Sequence, residues 1–272
     1  RGWTSHKDFI GYYNPLTKMM EKSNNRVFDA LERLHYEYEA GADAPFFILL
    51  DEANLSPLEH YWAAFLRLCD EDSAHSRSLS LGGKHHWSIP RHLRFLATVN
   101  FDHTTEDLSP RFLDRSWIIT LDPNSMGGET THLETENQET IVPFSALSAA
   151  FLPRGEAAMG DEGISSKWTK IQSIFRLHKL PVMPRNLKMV QAYCATACKY
   201  MDTRTSENRF APLDYAVSQK ILPIINGTGE RYHNLLKALK EECKNMPLCH
   251  QHITRILKAA DENMGFYQFF AK

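Results

Sequence analysis

The residues of this chain best suited to chemistry are the carboxylates Asp51 and Glu52, the amide Asn100, and the arginines Arg111 and Arg115. Asp51-Glu52 follows an uninterrupted apolar run, Phe46-Phe47-Ile48-Leu49-Leu50. Such a run fits a strand buried on both faces of a parallel sheet. In open α/β sheets, ligands bind at the carboxyl ends of the strands. Two adjacent carboxylates placed there divide labour: one holds a metal ion, directly or through water, and the other orients or deprotonates an attacking water. Asn100 ends a second run, Arg94-Phe95-Leu96-Ala97-Thr98-Val99, in the same way. An amide at that point suits positioning a water or touching a terminal phosphate. Arg111 and Arg115 flank a short helix that Ser109-Pro110 would start, and arginines displayed there stabilise phosphate charge. Taken singly, each signal has a plainer reading that outweighs it: a solvated acidic pair, a turn-forming Asn at a strand end, two arginines in surface ion pairs. Their order along the chain makes them a set.

The elements that must position this set follow from periodicity. Val27, Leu31, Leu34 and Tyr38 recur at helical spacing, and Gly41 stands where a helix would stop. Ser56-Pro57-Leu58-Glu59 reads as a capping box with Pro at the first helical position. The helix it opens carries Leu58, Tyr61, Trp62, Phe65, Leu66 and Cys69 on one face. Gly82-Gly83 marks a hairpin excursion with His85, His86 and Trp87 on it. A basic and aromatic hairpin can contact nucleic acid, although one aromatic packed back on the sheet is the simpler arrangement. A third buried strand is expected at Trp117-Ile118-Ile119-Thr120-Leu121. Residues 1–123 therefore read as an α/β subdomain with crossovers. Residues 124–165 lose periodicity and read as an insertion or linker, with a short helix near Phe144 to Phe151. Residues 166–272 read as all-helical. The stripes are Leu187, Val190, Cys194, Ala197 and Met201, then Leu213, Val217, Ile221 and Ile224, then Leu235, Leu236, Leu239 and Cys243, and last Ile253, Ile256, Leu257 and Ala260.

The ordered set resembles the AAA+ superfamily, and its wording resembles the McrB-like branch of bacterial NTPases. Phe47-Ile48-Leu49-Leu50-Asp51-Glu52-Ala53-Asn54-Leu55-Ser56 looks like a Walker B segment. Phe95-Leu96-Ala97-Thr98-Val99-Asn100-Phe101-Asp102 looks like sensor 1, and Leu108-Ser109-Pro110-Arg111-Phe112-Leu113-Asp114-Arg115 like the arginine-finger segment. Gly11-Tyr12-Tyr13-Asn14-Pro15 resembles the stretch before the Walker B helix, and Pro184-Arg185 a sensor 2 arginine opening a lid helix. The resemblance implies a P-loop-type parallel sheet followed by a small helical lid, and hydrolysis of ATP or GTP with Mg²⁺. By the same resemblance Asp51 holds the Mg²⁺ shell, Glu52 polarises the attacking water, and Asn100 places that water. Arg115, with Arg111 as partner, reaches a neighbouring subunit's γ-phosphate, and Arg185 senses nucleotide from the lid. The implied assembly is a homo-hexamer that drives or licenses a nuclease subunit in restriction or defence, meeting DNA indirectly.

One departure stands against the family pattern. The phosphate loop G-x-x-x-x-G-K-[ST] occurs nowhere in the 272 residues. Gly82-Gly83-Lys84-His85 has Ser78 where the first Gly belongs and His85 where the Ser/Thr belongs, and it lies after the Asp-Glu pair. A sheet lacking its central Walker A strand would leave buried main-chain groups unpaired, each costing about 1–3 kcal/mol. Either the segment lies outside this sequence or the strands close up differently. Arg1-Gly2-Trp3-Thr4, with neither Met nor signal-peptide character, favours a chain entered partway. The competing function is an inactive AAA+-like scaffold or regulatory subunit.

The remaining composition narrows the classes. Lys and Arg number 31 against 33 Asp and Glu, a net charge of -2, which removes a global basic field for nucleic acid. No apolar run is long enough to cross a bilayer. Five cysteines at irregular spacing fit a reducing, cytoplasmic setting better than a disulfide framework. Cys243, Cys249, His250 and His252 match no zinc spacing, and Cys243 falls on an apolar stripe, as a core thiol would.

Overall fold

The computed structural model describes residues 2–23, 26–69, 77–83, 85–102, 104–121, 141–152 and 159–270. The chain divides into two compact units, Arg1–Arg115 with Val142–Leu147, and Ser116–Ile141 with Ser148–Ala271. Lys84 and most of the expected insertion lie outside the described residues.

The first unit opens with α1 (His6–Phe9), β1 (Gly11–Asn14), β2 (Met19–Lys22) and α2 (Val27–Glu39). α2 buries Phe28, Leu31 and Leu34. Tyr38, expected on that face, is exposed and meets His92 edge-on at 5.7 Å. The helix stops as the sequence expects: Gly41 takes φ 83°, and Ala42 N–H bonds back to Glu37 O at 2.9 Å, a Schellman closure. Next come β3 (Phe46–Leu50), α3 (Leu58–Tyr61), α4 (Ala63–Leu66), β4 (Ser78–Gly82), β5 (His85–Ser88), β6 (Leu93–Ala97) and α5 (Pro110–Leu113).

β3 and β6 pair in parallel, Phe46 opposite Leu93 through Leu50 opposite Ala97. One face of this pair is covered, with Phe95 between Trp62 and Phe65 at centroid distances of 5.0 and 4.9 Å. On the other face Phe47, Leu49 and Leu96 are 56%, 62% and 54% exposed. The expected burial on both faces is therefore met on one. Strand apolarity on both sides, with cover on one side, is the main mismatch between the sequence of this sheet and its surroundings.

The Gly82-Gly83 excursion is an antiparallel hairpin of β4 and β5. Gly83 adopts φ 59°, and a Cβ there would sit 2.9 Å from the Tyr13 ring. Trp87 is the aromatic packed back, 4.8 Å from Phe28, while His86 is exposed.

At the division between the units lies α6 (Phe144–Phe151), at the position expected for the short helix. The second unit then comprises α7 (Glu162–Leu177), α8 (Pro184–Tyr200), α9 (Ala211–Ala216), a π turn at Val217–Ile221, β7 (Asn226–Thr228), α10 (Glu230–Glu242), α11 (Pro247–Glu262) and β8 (Phe266–Gln268). The helical stripes meet in one core that includes Ile171, Val190, Cys194, Leu213, Leu235 and Ile253. This unit is not all-helical: β7 and β8 pair antiparallel, Asn226 opposite Gln268. Cys243 and Cys249 are wholly buried free thiols, and burial pushes the Cys249 thiol well up. α11 is capped from a distance. The buried Asp214 carboxylate on α9 accepts the Leu248 and Cys249 N–H groups at 2.9 and 2.8 Å.

The segment expected as a third strand, Trp117 to Leu121, has no strand pairing and belongs to the second unit. Other groups satisfy it. Ile118 N–H bonds to Gln219 O at 2.9 Å, Lys220 Nζ donates to Ser116 O at 2.8 Å, and Trp117 stacks on Tyr193 at 4.9 Å. Thr120 Oγ1 lies 3.2 Å from His252 Nε2. Among the described residues the parallel sheet therefore has two strands. No helix among the described residues is long and apolar enough to cross a membrane.

Candidate functional site

Parallel pairing brings the carboxyl ends of β3 and β6 side by side. The ladder runs one step past both strands: Thr98 N–H bonds to Leu50 O at 3.0 Å and Ala53 N–H to Thr98 O at 2.9 Å. The two acidic residues leave β3 at this seam, and both are exposed. Thr98 joins them. Its Oγ1 donates to Asp51 Oδ1 at 2.6 Å and accepts the Glu52 N–H at 2.8 Å. Glu52 itself is left-handed, with φ 49° and ψ 48°. For a residue with a Cβ that conformation costs about 1 kcal/mol and concentrates at functional sites.

Below this turn sits Asn54, buried to 1% exposure. Its Nδ2 donates to Asn100 O at 2.7 Å and to Glu106 O at 3.1 Å, and its Oδ1 accepts Asn100 N–H at 3.3 Å. Glu106 N–H in turn bonds to Asn54 O at 2.9 Å. Thr105 Oγ1 adds a second donor to Asn100 O at 2.9 Å. The main chain of the exposed Asn100 is thus fixed from within, two residues after the threonine that holds Asp51. Tyr61 closes the knot, its hydroxyl donating to Ala53 O at 2.7 Å. Burial pushes that phenol up to about 12, so it stays a proton donor across the ordinary pH range.

The arginine segment is a short helix, as Ser109-Pro110 implied. Ser109 Oγ accepts the Phe112 N–H at 3.2 Å and caps α5. The same hydroxyl donates to Glu59 of α3. Glu59 was expected to close a capping box with Ser56. Instead Pro57 occupies the N-cap without a side-chain bond, and the apolar face continues through α3 and α4 as two short helices. A proline at that position supplies neither a side-chain acceptor nor an N–H. Arg111 is exposed, and Arg115 is half-buried with Nη1 donating to Arg111 O at 3.1 Å.

Asp51, Glu52 and Asn100 are therefore brought into one hydrogen-bonded knot, while Arg111 sits on α5, tied to α3, and Arg115 lies in the turn just after it. Arg185 belongs to the second unit, half-buried in the first turn of α8, and Pro184 opens that helix as expected. Beside it, Asn186 is buried with neither amide atom hydrogen-bonded. Thr98, Asn54 and Tyr61 have no sequence signature of their own: each acts through a polar contact whose partner the local pattern does not show.

For the Mg²⁺ that the resemblance implies, the strand ends offer one hard oxygen donor, Asp51. Mg²⁺ in nucleotide sites takes one or two carboxylates with phosphates and waters supplying the rest, and the exposed Asp51 carboxylate is a hard oxygen donor of that kind. Among the described residues no group of three His, Cys, Asp or Glu side chains is arranged to hold a metal alone.

A family model described as a domain of unknown function (DUF8727) matches residues 151–266, within the second unit and fewer than half of the residues. No curated protein and no solved structure matches the chain.

Proposed function

We propose that this chain is the Walker B, sensor 1 and arginine-finger part of an AAA+ nucleoside triphosphatase of the McrB-like kind, with residues 166–272 as its lid. The observation that carries the reading is the parallel pairing of β3 with β6, which lays Asp51-Glu52 beside Thr98-Val99-Asn100 at adjacent carboxyl ends. The exposed apolar face of that pair, Phe47, Leu49 and Leu96, supports a further layer packed against it in the working protein; in this reading the phosphate loop is supplied by sequence outside these 272 residues.

In this reading Mg²⁺, when bound with ATP or GTP, neutralises phosphate charge. Asp51 supplies an oxygen to the Mg²⁺ shell. Glu52 accepts a proton from, or orients, the attacking water. Asn100 holds that water from the neighbouring strand end. Arg111 and Arg115 bring positive charge to a neighbouring subunit's γ-phosphate, and Arg185 adds charge from the lid. Positioning and charge neutralisation supply most of the catalysis in phosphoryl transfer, so residues fixed by main-chain hydrogen bonds suit these tasks. The assembly is a homo-hexamer acting with a nuclease subunit on DNA that other domains recognise, in the cytoplasm.

A second reading, an inactive AAA+-like scaffold, is favoured by the absence of the phosphate-loop pattern from the sequence. Subunit mixing, done with the protein carrying the upstream sequence, separates the two. Glu52→Gln subunits keep their arginines, and Arg115→Ala subunits keep Glu52. Mixed, the two inactive variants regain part of the hydrolysis if the arginine acts on a neighbour. A scaffold gives none from either variant, the mixture or the wild type.

A further inference from the structure

We propose that Thr98 is a positioning residue for the acidic pair, setting the orientation of the Asp51 carboxylate and the main-chain conformation of Glu52 at once. Its consequence for the reaction rests on the NTPase reading above; its geometry does not.

A threonine hydroxyl has one proton and two lone pairs. The Glu52 main-chain N–H can only donate, so the lone pair it meets at 2.8 Å is committed to it. The proton goes to Asp51 Oδ1 at 2.6 Å, within the short range of charge-assisted bonds to carboxylates. The carboxylate is therefore pinned through one oxygen, and an ionised carboxylate has a second to offer a hard cation. The other bond holds the amide of a residue that sits in the left-handed region with φ 49°. That conformation is held from both sides. Before Glu52, Thr98 N–H takes Leu50 O at 3.0 Å; after it, Ala53 N–H takes Thr98 O at 2.9 Å. Tyr61 then fixes the Ala53 carbonyl at 2.7 Å. One residue just past β6 thus grips the β3 exit through both its main-chain groups and its side chain. Asn100, two residues further along the same strand end, shares that frame. Groups that orient a metal-binding carboxylate typically change affinity or activity by about 10–100-fold when removed, and site geometry must be held to within about 0.5 Å to be productive.

The test uses Thr98→Val, which keeps the shape and loses the hydroxyl, and Thr98→Ser, which keeps the hydroxyl. Thr98 is exposed, so neither change opens a core cavity; Thr98→Ala is the substitute should the valine variant fail to fold. Two readouts are taken. The first is hydrogen exchange of the Glu52 amide by NMR, which needs no nucleotide. The expected result is exchange about 10-fold or more faster in Thr98→Val, relative to wild type, with Thr98→Ser near wild type. The second is Mg²⁺-dependent ATP and GTP hydrolysis by the protein carrying its phosphate loop. There kcat falls about 10–100-fold in Thr98→Val with KM for nucleotide within about two-fold, and Thr98→Ser restores it. Unchanged Glu52 exchange in Thr98→Val overturns the proposal, and so does faster exchange with wild-type kcat. Absence of hydrolysis in the wild type removes the NTPase reading instead, and the exchange measurement then still decides whether Thr98 sets the Glu52 turn.

Discussion

The buried side-chain amide of Asn54 binds both main-chain groups of Asn100, donating to its carbonyl at 2.7 Å and accepting its N–H at 3.3 Å. A side-chain amide bonded in this way acts as a main-chain substitute. It splices the loop after β3 to the loop after β6 where the strand ladder has ended. Truncation to alanine removes the partner of the Asn100 N–H and of the Glu106 carbonyl, while the Asn100 carbonyl keeps Thr105 Oγ1. Asn54→Ala is expected to lower unfolding stability by about 2–4 kcal/mol, read by urea denaturation. A loss under about 0.5 kcal/mol would mean that water replaces the amide and that the splice is not structural.

The cap of α11 gives a second expectation. Asp214 places a carboxylate on the first N–H groups of a 16-residue helix, where its charge also meets the positive end of the helix dipole. Asp214→Ala is expected to cost about 2 kcal/mol or more in thermal or urea unfolding. Asp214→Asn, which keeps an acceptor and loses the charge, is expected to cost less. Equal losses for the two variants would show that charge, and not the cap bond, carries the effect.

His252 makes stability depend on pH. Burial, with the Arg255 guanidinium adding to it, depresses the imidazole from 6.5 to about 4. The folded state therefore binds its proton less readily than the unfolded chain. A depressed group contributes stability that is present above about pH 6.5 and lost as the pH falls towards about 4. From pH 7.5 to pH 5 the loss is about 2 kcal/mol. His252→Gln is expected to remove this slope. Urea unfolding of both proteins across that range measures it, and parallel curves would contradict it.

Much of this architecture is legible in the sequence because burial imprints a period. The four apolar stripes after residue 166 have 3–4 spacing, and most of their members meet in the core of the second unit, Ala197, Met201 and Ile224 lying outside it. The runs ending at Leu50 and Val99 are continuous because a parallel strand offers apolar side chains to both faces, and they pair with each other. Trp117-Ile118-Ile119-Thr120-Leu121 carries the same kind of signal and forms no strand. An apolar run records the wish to be extended and buried, not the partner, and here Gln219, Lys220, Tyr193 and His252 supply the contacts. β7 and β8 are three residues each, too short for alternation to register.

The candidate site was legible by residue type and order, not by its supports. Asp51, Glu52, Asn100, Arg111 and Arg115 stand out because strand ends and a Ser-Pro helix start locate them. Thr98, Asn54 and Tyr61 do not, since a threonine in an apolar run, an asparagine in a turn and a tyrosine on an apolar face all have ordinary roles. Their bonds to Asp51, Asn100 and Ala53 span separations that no local pattern records. Ser56-Pro57-Leu58-Glu59 misled for a related reason: Glu59 is drawn to Ser109 across 50 residues.

The central claim is that Asp51-Glu52 and Asn100 form the hydrolytic half of a nucleotide site. Mg²⁺-dependent hydrolysis of ATP and of GTP tests it most directly, measured on the 272-residue chain and on the protein carrying an upstream phosphate loop, each with its Glu52→Gln variant. The expected result is turnover by the longer protein with at least one nucleotide, reduced about 100-fold or more by Glu52→Gln. Turnover that Glu52→Gln leaves unchanged, or none from the longer wild-type protein with either nucleotide, would contradict the claim.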